Sequence, residues 1–349
     1  MRNVSARDVS ASSRPLPRPG RALTLEDVAA RAGVSRALVS IVMREAPGAS
    51  AMTRQRVLAV AEELGYRPDI RARLLARRRT RLLGVTLALN NPFHADITEG
   101  IYAAAEPLDY QVVLSALTGT REPGQAVDTL LSYRCEAAIL LGALMPNSAL
   151  AAVAEMLPVV VVGQPTSIPG VDVVRAADDQ GMRLAVDHLV ELGHRSIVHV
   201  DGGRAPGAAA RRDGYQAAMK QRGLAQTIQI FAGGDAEDDG AAAARTLAAA
   251  YIPDAVVTYN DRSAVGLLDV FARSGITVPG NISVVGYDDS QVAWLPYLRL
   301  TTVSQDATQL ASLAVERAVA RLEHQQIADR EVILTPHLVV RGTTGPART

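Results

Sequence analysis

From residue 82 onward, the chain alternates short apolar runs with longer amphipathic segments. The run LLGVTLAL at 82–89 is almost continuously apolar, as expected of a parallel strand buried on both faces. Comparable runs predict further strands at 111–116, 137–142, 159–163, 196–200, 227–231, 254–259 and 281–287. Two successive series of strand–helix units predict two doubly wound parallel sheets, with a ligand cleft between the lobes at the carboxyl ends of their strands.

The segments between these strands have helical periodicity. The loop NNPFH at 90–94 follows the first strand and leads into a helix that ends near Leu108. Further helices are predicted at 124–133, 147–156, 178–193, 207–223, 237–251 and 262–275. A last helix, 306–325, precedes terminal strands at 331–335 and 337–341.

Residues 23–43, LTLEDVAARAGVSRALVSIVM, predict two short helices joined by a tight turn. Thr24 and Asp27 have the spacing of a capping box, Gly33 suits a left-handed turn residue, and Ser35 can cap the second helix. One face of each helix is apolar, which leaves Arg36, Ala37, Ser40, Ile41 and Arg44 on the outside. This arrangement matches the DNA-binding helix-turn-helix, and a generic helical hairpin is the alternative.

The rest of the first 81 residues flanks this pair. Residues 1–21 are rich in Ser, Pro and Arg without periodicity and are interpreted as a disordered arm. Ser50 and Thr53 open a third helix that ends near Leu64. The basic segment 69–81, DIRARLLARRRTR, predicts a short helix that is marginal alone, so it is either a charged linker or a segment that orders on DNA.

The formal net charge of zero hides a strong asymmetry along the chain. Residues 1–81 contain 17 Arg and 7 acidic residues, a net charge of +10. Residues 82–349 contain 19 basic and 29 acidic residues, a net charge of −10. A basic head on an acidic body is typical of a nucleic-acid-binding protein with a separate second task.

Cys135 is the only cysteine, so no disulfide can form within the chain. The N-terminus has no apolar signal core, and no apolar run approaches the roughly 20 residues of a membrane-spanning helix. We therefore expect a soluble cytoplasmic protein with no membrane partner.

Several motifs, taken together, are typical of one family. They are TLEDVAARAGVSRALVS, TRQRVLAVAEELGYRP, ARLL, the GV–NNPF strand and loop, DDQGMRLAVDHLVELGHRSI, RRDGY, YNDRSAVG, ISVVGYDD and LTTVSQD. They extend over about residues 23–341, and in this order the chain resembles the lactose-repressor/galactose-repressor (LacI/GalR) family of bacterial transcription regulators.

The resemblance implies an N-terminal all-α helix-turn-helix domain followed by a two-lobed, periplasmic-binding-protein-like α/β effector domain. The expected domains are the arm 1–21, the DNA-binding domain 22–68, the hinge segment 69–81 and the effector-binding and dimerisation domain 82–349. Within the last, we expect lobe 1 at about 82–175 and 304–328, and lobe 2 at about 176–303 and 329–342.

The resemblance also implies function: a cytoplasmic, nucleoid-associated homodimer, in some members a tetramer, that binds a double-stranded operator of two inverted half-sites. A small effector, often a sugar or nucleoside, changes operator affinity by shifting the populations of two states and so the order of the segment 69–81. Repression is the usual outcome.

Base contacts in the family come from the start of the second helix, here Arg36, Ala37 and Ile41, with Ser35 and Ser40 near phosphates. Ile41 stands where members commonly carry Arg, so it either contacts a thymine methyl or joins the packing face. Leu38 replaces a usual Thr. Further DNA contacts are expected from residues at helix starts and from the hinge segment: Thr24, Arg44, Ser50, Thr53, Ala72 and Leu75.

For the effector site, the resemblance indicates Phe93 and His94 on a loop of the first lobe, and Arg211, Asn260 and Asp288 in the second. Such side chains offer both donors and acceptors to a polyhydroxyl ligand. Where relatives often place an aromatic ring, the sequence has Asp235, so the effector is a sugar or a small polar or cationic molecule. Alternatively, Trp294 supplies the ring.

Two other functions remain as alternatives at this stage. A solute-binding protein of transport type shares the two-lobed body, but residues 23–81 argue against it. An α/β enzyme with a DNA-binding head would need a catalytic constellation, and only the neighbouring Asp288 and Asp289 invite one. No Walker A loop, nucleophile elbow or metal cluster is found in the sequence, and no cofactor is expected.

Overall fold

The computed structural model describes residues 23–44, 46–66, 79–142 and 145–348. The chain divides into two compact units, residues 1–79 and 80–349. The predicted arm at 1–21 lies outside the described residues, as does most of the predicted hinge segment at 69–81, including Ala72 and Leu75.

The described part of the first unit consists of three helices. They are α1 (Leu25–Ala32), α2 (Arg36–Met43) and α3 (Ala51–Leu64). The predicted capping box is present, because the backbone N–H and the hydroxyl of Thr24 both donate to the Asp27 carboxylate, at 2.8 Å each. Gly33 follows α1 in the left-handed conformation with φ +66°. Because only glycine adopts this conformation without strain, it sets the turn between α1 and α2.

A small apolar core holds these helices together. Its buried members come from all three helices: Val28, Ala29, Ala32, Val39, Val42, Val57 and Ala61. Such a core was expected from the apolar periodicity of each helix. Leu58 of α3 lies outside this core and is 49% exposed.

The second unit contains two six-stranded sheets. The first comprises β1 (Leu82–Ala88), β2 (Gln111–Leu117), β3 (Ala137–Leu141), β4 (Val159–Val162), β5 (Val171–Ala176) and β11 (Glu331–Leu334), in the order β11-β5-β4-β3-β1-β2. All of its neighbouring strands are parallel. Its apolar core includes side chains such as Leu83, Ile139 and Val160, which are completely buried.

The second sheet repeats this topology. It comprises β6 (Ile197–Val200), β7 (Gln229–Phe231), β8 (Ala255–Thr258), β9 (Ser283–Asp288), β10 (Thr301–Ser304) and β12 (His337–Val339), in the order β12-β10-β9-β8-β6-β7. Its strands are parallel except for β12, which pairs antiparallel with β10 at the edge. Two doubly wound sheets are therefore present, as the sequence predicts.

The crossover helices cover both faces of these sheets. They are α4 (Pro92–Ala105), α5 (Pro123–Ser132), α6 (Asn147–Met156), α7 (Asp178–Glu191), α8 (Ala208–Gln221), α9 (Glu237–Ala250), α10 (Asp261–Arg273) and α11 (Ala307–Leu322). Short 3₁₀ helices lie at Glu106–Leu108, Ala225–Thr227 and Gln291–Trp294. Within the described residues, no helix is long and apolar enough to cross a membrane.

Three strand assignments differ from the sequence prediction. Strands β5 and β10 were not expected at all, and β11 was expected in lobe 2 within 329–342. The structure places β11 beside β5 in the first sheet. The chain therefore passes between the lobes three times: after β5, after β10 and between β11 and β12. The edge that a terminal strand joins depends on these crossings, which no local pattern reveals.

The residues predicted as a loop after β1 also differ. Helix α4 begins at Pro92, so Phe93 and His94 lie in its first turn and not in a loop. Asn91 is the N-cap, and its Oδ1 accepts from the Phe93 N–H at 3.0 Å. Proline in the first turn of a helix after an Asn cap is a recognised start signal, because the missing N–H has no helical partner there.

Two glycines bring α9 and α10 into backbone contact. A Cβ atom at Gly240 would overlap the Ser263 carbonyl, and one at Gly266 would overlap the Glu237 carbonyl. The ends of these helices carry Asp235 and Asn260, so this close approach sets the distance between two segments of the candidate site described below.

Gly266→Ala should therefore lower the unfolding free energy of the second unit by about 1–3 kcal/mol, because the added methyl group meets rigid backbone. We expect a fall of several degrees in the melting temperature. The control is Gly124→Ala, where the Cβ position is open. Equal melting temperatures for the two variants would contradict the packing described here.

Candidate effector cavity and nucleic-acid interface

The second helix of the first unit presents its first turn to solvent. Ser35 caps α2 by accepting from the Leu38 N–H at 3.2 Å. Arg36, the first residue of the helix, is exposed and forms a 3.0 Å ion pair with Glu26 of α1. Since exposed pairs of this kind contribute little stability, the guanidinium is free to exchange Glu26 for another acceptor.

The other predicted base- and phosphate-contacting residues of α2 fall into two groups. Ala37 and Arg44 are exposed, whereas Ser40 and Ile41 are half-buried. Ile41 lies beside Gly48 and is not a member of the apolar core of the three helices. The sequence left two interpretations of Ile41: a contact with a thymine methyl or a place on the packing face. Its absence from the apolar core favours the thymine contact.

The remaining described candidates sit at helix starts. Ser50 accepts from the Thr53 N–H at 3.2 Å, and their two hydroxyl groups lie 2.9 Å apart. Together with Thr24, these residues place hydroxyl groups beside helix N-termini, where unpaired N–H groups favour anions such as phosphate. Thr24 and Ser50 are thus N-cap residues and Thr53 lies in the first turn of α3, positions that are compatible with a phosphate contact.

In the second unit, a cavity of about 510 Å³ opens between the two sheets. All five predicted effector residues line it: Phe93, His94, Arg211, Asn260 and Asp288. Phe93 and His94 follow β1, Arg211 follows β6, Asn260 follows β8 and Asp288 ends β9. In each sheet, strand order reverses beside β1 or β6, so these segments meet at the topological switch points where such folds bind ligands.

His94 has a defined protonation state. Its Nδ1 accepts a hydrogen bond from the Ala88 N–H at 2.9 Å. Burial lowers the pKa of His94 to about 4, so the ring is neutral at pH 7. Because Nδ1 is an acceptor, the single ring proton is on Nε2, which can donate to a ligand. This geometry favours a plain hydrogen-bonding histidine over one that switches near neutral pH.

Arg211 is only 4% exposed and is held from several directions. Its Nε donates to Asp178 at 2.8 Å, and its Nη1 donates to the Tyr259 carbonyl at 2.7 Å and approaches Asp288 at 3.5 Å. The guanidinium carbon also lies 4.7 Å from the Tyr259 ring centre and 3.8 Å from that of Tyr287. The guanidinium is therefore rigid as well as buried.

The neighbouring Arg212 points elsewhere. Its Nη1 donates to Asp201 at 2.8 Å, and it is not among the residues that line the cavity. Arg211 is thus the arginine of this pair that the fold brings to the cleft.

Asp288 accepts from Gln305 Nε2 at 2.8 Å as well as from Arg211. Burial raises the pKa of Asp288 to about 7, although Arg211 and Gln305 oppose the shift. Behind it, the buried Asp261 accepts from Ser290 and Thr302, and burial together with the nearby Asp288 raises the pKa of Asp261 well above its ordinary value. Three buried carboxyl groups, those of Asp178, Asp261 and Asp288, therefore share one region with the guanidinium of Arg211.

Asn260 connects two walls of the cavity. Its Oδ1 caps α10 by accepting from the Ser263 N–H at 2.8 Å, and its Nδ2 donates to the Asp235 carbonyl at 3.1 Å. Asn260 therefore fixes the main chain of the segment that carries Asp235, and one amide hydrogen is left for a ligand.

Asp235 lines the cavity, whereas Trp294 does not. Trp294 is 65% exposed, and its indole N–H donates to Asp289 at 2.8 Å. The idea that Trp294 supplies a ring over the ligand is therefore wrong for this cavity. Its aromatic wall comes from Phe93 and from Tyr259, whose hydroxyl donates to the Pro206 carbonyl at 2.7 Å.

Sequence reasoning missed several lining residues. They follow strands at the same edge of the sheets: Asn90, Asn91, Arg121, Glu122, Tyr259 and Gln305. The signal that could have identified them is their position just after β1, β2, β8 and β10, since polar residues at these ends converge on the switch points.

The enzymatic alternative gains no support from this geometry. Asp289 accepts from Trp294 and from Arg341, at 2.8 and 2.6 Å, and does not line the cavity with Asp288. Of the two adjacent carboxylates, only Asp288 thus lines this cavity. Among the described residues, no group of three or more His, Cys, Asp or Glu side chains could hold a metal ion.

Comparison with known proteins identifies the family. Residues 24–69 match the model of bacterial regulatory proteins of the lacI family, and residues 186–344 match a periplasmic binding protein-like domain. The HTH-type transcriptional regulator GalR of Escherichia coli (strain K12) is 30% identical over 325 residues, which cover 91% of this chain and 94% of GalR. The ribose operon repressor of the same strain is 30% identical over 328 residues, 92% of this chain and 99% of that protein.

A solved structure has the same fold as this chain over nearly its full length. The crystal structure of the lac repressor dimer bound to operator and the anti-inducer ONPF is 29% identical, with a TM-score of 0.81, and covers 93% of this chain and all of that one. The chain belongs to the lacI family of bacterial transcriptional regulators. These relatives are regulators and not enzymes, and the resemblance inferred from the sequence motifs is confirmed.

The raised pKa of Asp288 generates a prediction about stability. The folded chain keeps a proton that the unfolded chain releases above the ordinary carboxyl pKa, so this group makes the fold less stable as pH rises toward 7. The Asp288→Asn variant has no carboxyl group at this position, so it does not lose folding stability in this way as the pH rises. The melting temperature of the wild type minus that of the variant should therefore decrease between about pH 4 and pH 7, from the ordinary carboxyl pKa to the raised pKa of Asp288.

Comparing the two proteins cancels the opposite effect of the buried histidines. Burial lowers the pKa values of His94 and His199 to about 4, so these groups reduce stability as the pH falls below their ordinary values. They are present in both proteins. A difference in melting temperature that does not vary with pH would contradict the shifted pKa of Asp288.

Proposed function

We propose that this protein is a repressor that binds a pseudo-palindromic operator as a homodimer in the cytoplasm, and that a small effector in the cavity between its lobes controls the operator affinity. The effector is a sugar or a related polyhydroxyl metabolite. The observation that carries this proposal is the convergence of five side chains from four separate segments on one cavity, in a chain that also carries a capped helix-turn-helix.

The first unit supports specific DNA binding. Ser35 and the turn at Gly33 fix the start of α2, and Arg36 projects from its first turn. An arginine at this position can bind guanine O6 and N7 with two hydrogen bonds, which discriminates against other bases by about 1–3 kcal/mol. The hydroxyl groups of Thr24, Ser50 and Thr53 supply phosphate contacts that orient the helix but carry no sequence information.

The second unit supports control by a ligand. Residues on both sides of the cavity come from different sheets, so a ligand that contacts both lobes favours one arrangement of the lobes over others. A ligand shifts such an equilibrium only by its difference in affinity for the two states, typically about 1–3 kcal/mol in allosteric proteins. The lac repressor, a relative over nearly its full length, was solved with both operator and a small ligand bound.

The polar groups of the cavity favour hydroxyl-rich ligands. His94 Nε2 is a donor, Asp288 offers its second carboxylate oxygen as an acceptor, and Asn260 keeps one amide hydrogen. Apolar side chains such as Phe93 and Ile97 complete the lining. Alternating polar and apolar contacts of this kind suit a sugar ring, and the name of the ribose operon repressor is consistent with such an effector.

Arg36→Ala should relax base preference at one position of each half-site, because the guanine contact is lost while the phosphate contacts remain. Operator fragments selected from random DNA by the wild type and by the variant would be sequenced and compared at fixed salt.

The control for this experiment is Arg31→Ala, since Arg31 is also exposed and forms an ion pair, with Glu63 of α3, but lies outside α2. The control should select the wild-type consensus. If the Arg36 variant also selected the wild-type consensus, Arg36 of α2 would not contact a base of the operator as proposed.

Asp288→Ala should abolish the response of operator affinity to ligand, because it removes the acceptor that Arg211 and Gln305 hold at the cavity. The measurement is operator affinity by fluorescence anisotropy, with and without galactose, ribose or cellobiose as probes. Asp289→Ala, which removes the adjacent carboxylate outside the cavity, should keep the response. A normal response in the Asp288 variant would exclude that residue from the site.

A further inference from the structure

The charged side chains of the cavity differ in how far their hydrogen bonds and charges are already satisfied within the protein. Two arginines and three acidic residues line it: Arg121, Arg211, Glu122, Asp235 and Asp288. Whether the cavity accepts an anionic ligand depends on which of these groups still has an unused charge. Hydrogen bonds within the protein answer this question for Arg121, Arg211 and Asp235.

Both arginines are occupied by protein acceptors. Arg121 donates to the Ala116 carbonyl at 2.8 Å and to the hydroxyl groups of Ser115 and Thr129 at 3.0 and 2.6 Å. It is therefore bound to its own lobe. The charge of Arg211 is compensated by Asp178 at 2.8 Å. Neither guanidinium can offer the two parallel donors that bind a phosphate or carboxylate without losing these bonds.

The Asp235 carboxylate, in contrast, is not engaged. It is exposed in the cavity lining, and no hydrogen bond or ion pair from another described residue reaches it. Its main chain is fixed on both sides, since Asn260 donates to its carbonyl and the N–H of Ala236 donates to Asp239 at 3.1 Å. The carboxylate is thus held at the cavity without a hydrogen-bond or ion-pair partner among the described residues, and the cation within electrostatic range, Arg262, is paired with Glu237.

The surrounding charges do not cancel its effect. Asp288 lines the same cavity, and Arg211 is compensated by Asp178 at 2.8 Å and approaches Asp288 at 3.5 Å. In a cleft with low-dielectric walls, an uncompensated carboxylate acts over several ångströms and is screened less than on an open surface. An anionic group that enters the cavity meets the Asp235 carboxylate, whereas Arg121, whose hydrogen-bond acceptors are uncharged, can bind that group only by giving up its bonds to the first lobe.

We propose that the cavity selects uncharged or ammonium-bearing polyhydroxyl ligands against phosphorylated or carboxylated ones, and that Asp235 is the specificity-determining residue. This inference rests on the proposed role of the cavity as the effector site. Asp235 accepts hydrogen bonds from ligand hydroxyl or ammonium groups, whereas it repels phosphate and carboxylate groups.

The test uses ligands matched in shape and different in charge. The probes are ribose with ribose 5-phosphate, and galactose with galactosamine and galacturonate. Their dissociation constants for the full-length protein would be measured by calorimetry at low and at high salt. We expect the anionic member of a set to bind at least about tenfold more weakly at low salt, with a smaller difference at high salt.

Asp235→Asn keeps the shape of the side chain and removes its charge. It should therefore reduce, by several-fold, the ratio between the dissociation constants of the anionic and the neutral ligand of each set. The matched control is Asp238→Asn, which removes a charge three residues away, at an exposed position of α9 outside the cavity lining. The control should keep the wild-type preference. An anionic ligand that binds as tightly as its neutral partner would overturn the proposal, as would a preference that Asp235→Asn leaves unchanged.

Two results separate this inference from the proposed function. A neutral ligand that binds with the expected preference but leaves operator affinity unchanged contradicts effector control and supports the charge selection. An anionic ligand that binds in the cavity and changes operator affinity supports effector control and overturns the charge selection.

Discussion

The burial of Arg211 is the interaction on which the candidate site depends. A guanidinium can leave water only where acceptors compensate it, and here they come from Asp178, the Tyr259 carbonyl and Asp288. Breaking a buried pair of this kind costs about 3–5 kcal/mol, because the remaining charge stays buried. The cluster joins α7, α8, β8 and β9, so the same contacts that hold the second lobe also place a donor and a carboxylate at the cavity.

The two lobes repeat one topology but contribute different chemistry. The first supplies apolar side chains, the neutral donor of His94, Arg121 and Glu122, and the second supplies Arg211, Asp235, Asp288 and the amide of Asn260. The crossing after β10 begins at Gln305, which lines the cavity, so a ligand that contacts both lobes acts beside one of the connections between them. This arrangement is the physical basis for treating the cavity as a control site.

Local sequence patterns predicted most of the fold, and the family resemblance indicated the five proposed effector residues, which line one cavity. The strands that the patterns missed have physical reasons. Strand β5, VDVVRA, contains the buried Asp172, which is compensated by Arg321 at 2.7 and 2.8 Å. That partner lies about 150 residues away, so no local pattern could justify a charge in a strand. Which of the two sheets β11 joins depends on where the chain crosses between the lobes, which no local pattern reveals. The tautomer of His94 and the unpartnered carboxylate of Asp235 depend on three-dimensional neighbours.

The central claim is that ligand binding in the cavity and operator binding by the first unit are coupled. Thermodynamic linkage makes this claim testable in both directions. The measurement is the operator dissociation constant with and without a cavity ligand, together with the ligand dissociation constant with and without operator. Our account predicts that both change by the same factor, whether the ligand strengthens or weakens operator binding. A ligand that binds in the cavity while neither constant changes would contradict it.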